Sequence, residues 1–124
     1  MERLKRRADF LAAAKGRKVA RSAFLLQARD RGDDGPPRFG FTVSKRTAAK
    51  AVERNRIRRR LREAVRQAGA GSAARGYDYV LVARRAALHM PFAKMTEALV
   101  QSLELVGAGR PARQPGRGDD PDGQ

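Results

Sequence analysis

Apolar residues along the chain follow two different periods. Phe92, Met95, Leu99, Leu103 and Val106 recur every three or four positions, which predicts a last helix opened by Pro91 and ended at Gly107. In RFGFTVS (Arg38 to Ser44), Phe39, Phe41 and Val43 alternate with Gly40, Thr42 and Ser44, so a strand with one buried face and one small, open face is expected. Tyr77 to Ala83 (YDYVLVA) sets Val80 and Val82 opposite Tyr79 and Leu81, the pattern of a strand buried on both faces. Ser22 to Arg29 (SAFLLQAR) also reads as a strand. The polar cluster Asp30 to Pro37 follows it, and the strands on either side are expected to pair as an antiparallel hairpin. Ala8 to Lys15 predicts a short helix closed by Gly16, with Phe10 and Leu11 its only large apolar residues. Phe10 is read as a core anchor before a stacking platform. Met1 to Arg7 is expected to fray, and Ala68 to Gly76 to be a flexible connection. The elements run α, β, β, α, β, α, and Val19 to Arg21 can add a short strand. Residues 1–106 read as one domain, and Gly107 to Gln124, rich in Gly and Pro, as a disordered tail.

One stretch breaks the ordinary balance of an amphipathic helix. Ala51 to Gln67 (AVERNRIRRRLREAVRQ) places Ile57, Ala64, Val65 and Ala68 within about 60° of Leu61, with Thr47 a candidate cap before it. Asn55, Arg59, Arg62 and Arg66 share a flank, with Arg58 on its border. Arg54 falls on the core side, so it is expected to overhang the core's end and reach a ligand groove. A charge run is ordinarily a solvated face with salt bridges. Here only Glu53 and Glu63 can neutralise the arginines locally, and the cations near the helix start oppose the macrodipole. Phosphate relieves both, through forked contacts that Arg makes better than Lys.

Charge extends this reading to the whole chain. The 124 residues carry 28 Lys and Arg against 13 acids, a net charge of +15, which points to nucleic acid first and an anionic membrane surface second. No apolar run of spanning length and no secretory core follow the basic N-terminus, so a cytoplasmic protein with no membrane partner is expected. The chain has no Cys, hence no disulfide framework and no thiolate metal site.

Catalytic groups are scarce. His89 is the single His and precedes a helix, where a surface role is the ordinary one; Asp78 is the only acid on a predicted strand. Neither a phosphate-binding glycine loop nor zinc spacing is present, so no metal site, small-molecule cofactor or catalytic residue is assigned to the protein.

The ordered segments RFGFTVSKR, AVERNRIRRRLREAVR and YDYVLVARR resemble the protein subunit of bacterial ribonuclease P, over roughly Arg7 to Val106. The resemblance implies an α/β (α+β) two-layer sandwich, with a sheet of about four mixed strands packed by helices and a left-handed β-α-β crossover around the Arg-rich helix. It implies an endoribonuclease whose catalytic groups lie on an RNA. That catalytic RNA subunit, using divalent metal (Mg), removes the 5′ leader from precursor tRNA. By position, Arg54, Asn55, Arg56, Arg58, Arg59 and Arg62 match the helix that faces the catalytic RNA. Phe10, Ser44, Lys45, Arg46, Arg84 and Arg85 match the cleft that holds the single-stranded leader. Ala14 and Gln27 stand where family members often carry aromatics, which leaves leader stacking weaker or resting on Phe10 alone. The tail is outside the family pattern. A ribosomal or general structural RNA-binding protein is the alternative, and a protein nuclease is disfavoured by the missing acid pair.

Overall fold

A computed structural model describes residues 2–69 and 71–107. The predicted disordered tail lies outside them except for Gly107. Five strands form one mixed sheet, one more than expected: β1 (Glu2–Arg3), β2 (Arg17–Ala20), β3 (Phe24–Asp30), β4 (Arg38–Thr42) and β5 (Tyr77–Ala83), in the order β1-β4-β5-β3-β2. Three helices accompany them, α1 (Arg7–Ala14), α2 (Ala51–Ala64) and α3 (Phe92–Gly107).

β5 is central because both its faces are apolar. It runs antiparallel to β3 and parallel to β4. This overturns the expected β3–β4 hairpin: β5 takes the place between them. The 31–37 loop therefore crosses one end of β5 and is tied there, with the Arg31 amide donating to the Gly76 carbonyl at 2.8 Å and the Gly76 amide to Gly35 at 2.7 Å. Arg31 and Arg38 converge on the fully buried Asp78 at the start of β5. Arg31 Nη1 and Arg38 Nε donate to Oδ1 at 2.7 and 2.8 Å, and Arg38 Nη2 donates to Oδ2 at 2.9 Å. Each carboxylate oxygen is thus satisfied by charge-assisted bonds, as a buried carboxylate requires.

The side of β5 bearing Tyr77, Tyr79, Leu81 and Ala83 faces the main core. There it meets Ile57 and Leu61 of α2 and Met95, Leu99 and Leu103 of α3. Phe39, Tyr79 and Tyr77 stack in series, with centroids 5.1 and 5.7 Å apart. The helical periodicities of α2 and α3 are borne out by these burials. On the opposite side Val80 and Val82 meet a smaller cluster of Leu4, Phe10 and Ala13. The sandwich of sheet against α2 and α3 therefore carries α1 as a partial cover on its other face.

Three further expectations change. Glu2 and Arg3 are not frayed; they pair in parallel with Arg38 and Phe39, and burial of Leu4 anchors them. Ala68 to Gly76 is not a loose connection throughout. α2 passes into a π-helical turn over Val65–Gly69, Ala73 and Ala74 pack on the core, and the Ala74 amide donates to Tyr79 Oη at 2.9 Å. Thr47 does not cap α2: Lys50 is the cap residue, and the Thr47 hydroxyl donates to the Ala83 carbonyl at 3.3 Å.

Candidate nucleic-acid interface

Helix α2 sorts its arginines by what each guanidinium can reach. Arg54, expected in a ligand groove, turns back instead. Its Nη1 donates to the Ala48 and Ala49 carbonyls at 2.9 and 2.8 Å, closing the loop before the helix. Arg60 reaches the other way, to the carbonyls of Ala87, at 2.6 Å, and Met90, and ties α2 to the segment before α3. Arg66 is held by Glu63, which also accepts from Gln67 at 2.8 Å. The Arg66 and Gln67 donors hold the Glu63 carboxyl at about 2, well below its usual range.

Arg56, Arg58, Arg59 and Arg62 remain, and among the described residues they make no ion pair or side-chain hydrogen bond. Arg62 is the telling case, because its Nε is buried and without a partner. The rest of its half-buried guanidinium group has no partner either among the described residues. Asn55 is exposed on the same helix, between the tethered Arg54 and the free Arg56. Val52, 68 % exposed, lies outside the core side as expected.

A second surface lies across the sheet. Register places Lys18, Gln27, Val80 and Gly40 in one row and Ala20, Leu25, Val82 and Thr42 in the next. The first row passes beneath α1. A Cβ on Gly40 would stand 2.6 Å from Cε2 and Cζ of Phe10, so the ring rests directly on that glycine. The expected open face of β4 is therefore covered at Gly40 and open at Thr42. Phe10 is half-buried: the ring anchors α1 and also walls the second row, whose ends Ala20 and Thr42 are exposed and whose middle, Leu25 and Val82, is half-buried. Gln27 lies in the row under α1, and Ala14 is on α1 itself, so neither adds a ring to this wall.

Ser44, Lys45, Arg46, Arg84 and Arg85 come together because β4 and β5 are parallel neighbours and share a C-terminal end. Thr42 pairs with Val82, so Ser44 and Arg84 lie two residues further on, about 13 Å along the strands from the Phe10 contact at about 3.3 Å per residue. Ser44 Oγ accepts the Thr47 amide at 3.2 Å, fixing the turn that presents exposed Lys45 and Arg46. Arg84 is exposed as well. Arg85 is not grouped with Phe10: both its terminal nitrogens reach the Glu53 carboxylate at 3.4 Å, which draws it to the first turn of α2. His89 is exposed and makes no ion pair or side-chain hydrogen bond among the described residues. Among the described residues no cluster of His, Cys, Asp or Glu could hold a metal ion, and no helix is long and apolar enough to cross a membrane.

Of the open second row only Thr42 was expected from sequence; its extension across Val82, Leu25 and Ala20 was missed. The signal for it was there: β5 reads as apolar on both faces, yet the short helix predicted before β2 can cover only part of the second.

This arrangement has known counterparts. The model of the family described as Ribonuclease P matches residues 1–106. The chain belongs to the ribonuclease P protein family. With that membership comes a role in ribonuclease P tRNA processing. A ribonuclease P protein component from Brucella suis is 41% identical over 116 residues, covering 87% of this chain and 82% of that protein. One from Gluconacetobacter diazotrophicus is 45% identical over 106 residues, covering 85% and 90%. The fold matches the ribonuclease P protein from Thermotoga maritima with a TM-score of 0.71 at 29% identity, over 85% of this chain and 97% of that one. The Staphylococcus aureus protein gives 0.68 at 29% identity, over 85% and 94%.

Proposed function

We propose that this chain is the RNA-binding subunit of a cytoplasmic ribonuclease P, gripping a catalytic RNA with α2 and the single-stranded 5′ leader of precursor tRNA with the cleft beside Phe10. The observation that carries this is the division among the α2 arginines. Arg54, Arg60 and Arg66 are engaged within the protein, while Arg56, Arg58, Arg59 and Arg62 present unneutralised guanidinium groups beside Asn55. Such forked donors suit phosphate oxygens. Phe10 offers a π-face, and Ser44, Lys45, Arg46 and Arg84 lie at one end of the open strand row, where they suit the backbone of a strand stacked on the ring. Arg85, paired with Glu53, contributes to leader binding only if that pair opens. Arg54 serves the RNA face by holding the loop before α2. Cleavage chemistry, with Mg, belongs to the RNA; the protein orders helix and leader around it.

Reconstitution tests this reading. Rigorously RNA-free protein should not cleave precursor tRNA, and addition of a ribonuclease P RNA should produce leader removal at modest magnesium. Metal-dependent cleavage by the protein alone would overturn it. Binding of both RNAs without any gain in cleavage would favour a general RNA-binding role.

A further inference from the structure

α1 has few means of holding its place. It is eight residues long, its N-cap residue Arg6 makes no side-chain capping bond, and Ala13 is its one fully buried residue. Helices this short are marginal without tertiary anchors. Leu4 and Phe10 supply apolar ones, and the remaining anchor is ionic. Asp9, next to Phe10, has Oδ1 3.5 Å from Arg29 Nη1 and Oδ2 3.6 Å from Arg38 Nη2. Both arginines also face Asp78, Arg38 through two hydrogen bonds and Arg29 at 3.8 Å. Arg31 completes the group, bonded to Asp78, to Asp33 and to the carbonyls of Tyr77 and Pro36. Three arginines and three aspartates therefore balance in charge and join α1, β3, the 31–37 loop, β4 and β5.

The structure assigns Asp9 the task of positioning Phe10: by bridging Arg29 and Arg38 above the buried Asp78, it fixes α1 against the sheet so that the ring stays on Gly40 and walls the cleft. Ala13 packs with Val80, four residues along from Asp9, so Asp9 and Ala13 pin α1 at two points with Phe10 between them. Loss of the ionic point leaves α1 free to turn about the apolar one. The ring then leaves the wall while the core stays intact, because Asp9 is half-buried and Asp78 keeps its own partners.

This inference rests on the cleft reading of the preceding subsection, and the test separates the two. Holoenzyme reconstituted with Asp9→Asn, Asp9→Glu, Phe10→Ala or unaltered protein is titrated with precursors carrying a leader of several nucleotides, a one-nucleotide leader or none. Asp9→Asn should weaken binding of the long-leader precursor by about three- to tenfold, the size expected for two partly exposed ion pairs. It should leave mature tRNA binding and assembly with the RNA unchanged, and Asp9→Glu should restore most of the loss. A general structural role predicts equal losses on all substrates together with a lowered unfolding midpoint, and that outcome overturns the assignment. Leader dependence in Phe10→Ala without any in Asp9→Asn overturns the positioning role alone. Absence of leader dependence in Phe10→Ala overturns the cleft reading and this inference with it.

Discussion

Neighbouring arginines of α2 differ in role because backbone carbonyls, which carry no sequence identity, engage Arg54 and Arg60, while the Glu63 carboxylate holds Arg66. Arg60 satisfies two carbonyls between α2 and α3, so Arg60→Ala should cost about 1–3 kcal/mol of folding stability, read by denaturant melts. Arg59, exposed and unpartnered, should change stability by no more than about 0.5 kcal/mol on truncation while weakening RNA binding. Azimuth on the helix grouped Arg59 and Arg62 with Arg58 at their border, but it included Arg66, which Glu63 holds, and left out Arg56; it also misread Arg54, because the position of the Ala48 and Ala49 carbonyls depends on how the loop folds back. Glu63 makes a pH statement. Its folded carboxyl, held at about 2 by Arg66 and Gln67, lies below the ordinary value of 4.5. A depressed carboxyl stabilises the fold above the unfolded value, and that contribution is lost as pH falls toward the folded one. The midpoint difference between the native chain and Glu63→Gln should therefore hold steady above about pH 5 and shrink toward pH 2, with a small amplitude because the pair is exposed.

At the scale of elements, periodicity told buried from open residues well and pairing poorly. β3, β4 and β5 were legible as strands. Their order was not, since the 31–37 loop is short enough for a hairpin and only the doubly apolar β5 argues for its own insertion. Asp78 makes that insertion stable, and its meaning was hidden for the same reason: an acid on a strand has no visible partner until Arg31 and Arg38 are brought across from the neighbouring loop and strand. Asp78→Asn should leave the arginines short of a counter-charge in a buried place and cost about 3–5 kcal/mol, measured by chemical denaturation. Gly16 shows a second constraint that pattern alone assigned to helix termination. A Cβ there would stand 1.9 Å from the Ala28 carbonyl oxygen, so the turn from α1 into β2 must pass against β3 with no side chain. β1 escaped notice because two residues carry no period; its anchor, Leu4, is a single apolar residue in a basic run.

At the scale of the whole molecule, the sheet separates the two surfaces proposed to bind RNA. Ile57 and Leu61 seat α2 on the face bearing Tyr79 and Leu81, whereas Phe10 and Ala13 lie on the face bearing Val80 and Val82. Sequence showed α2 and the short helix carrying Phe10 but could not place them on opposite faces of the sheet. Binding to the RNA should be strongly salt-dependent: with Arg56, Arg58, Arg59, Arg62 and a few cleft cations neutralising phosphates, the log–log slope should fall near −3 to −6, at about −0.7 to −0.9 per contact. The separation makes a sharper prediction. Arg58→Ala with Arg62→Ala should weaken assembly with the RNA by about 1–3 kcal/mol whatever the leader length. Phe10→Ala should weaken long-leader precursor binding by about 1–3 kcal/mol and leave mature tRNA binding nearly unchanged, provided its thermal unfolding shows that the ring's share of the core has been spared. Because a packed sheet lies between the two sites and they share no partner, the combined variant should show the sum of both effects within about 0.5 kcal/mol. A coupling energy well above that, in a cycle measured at one salt concentration, would mean that RNA docking on α2 reshapes the cleft and that the two faces act as one.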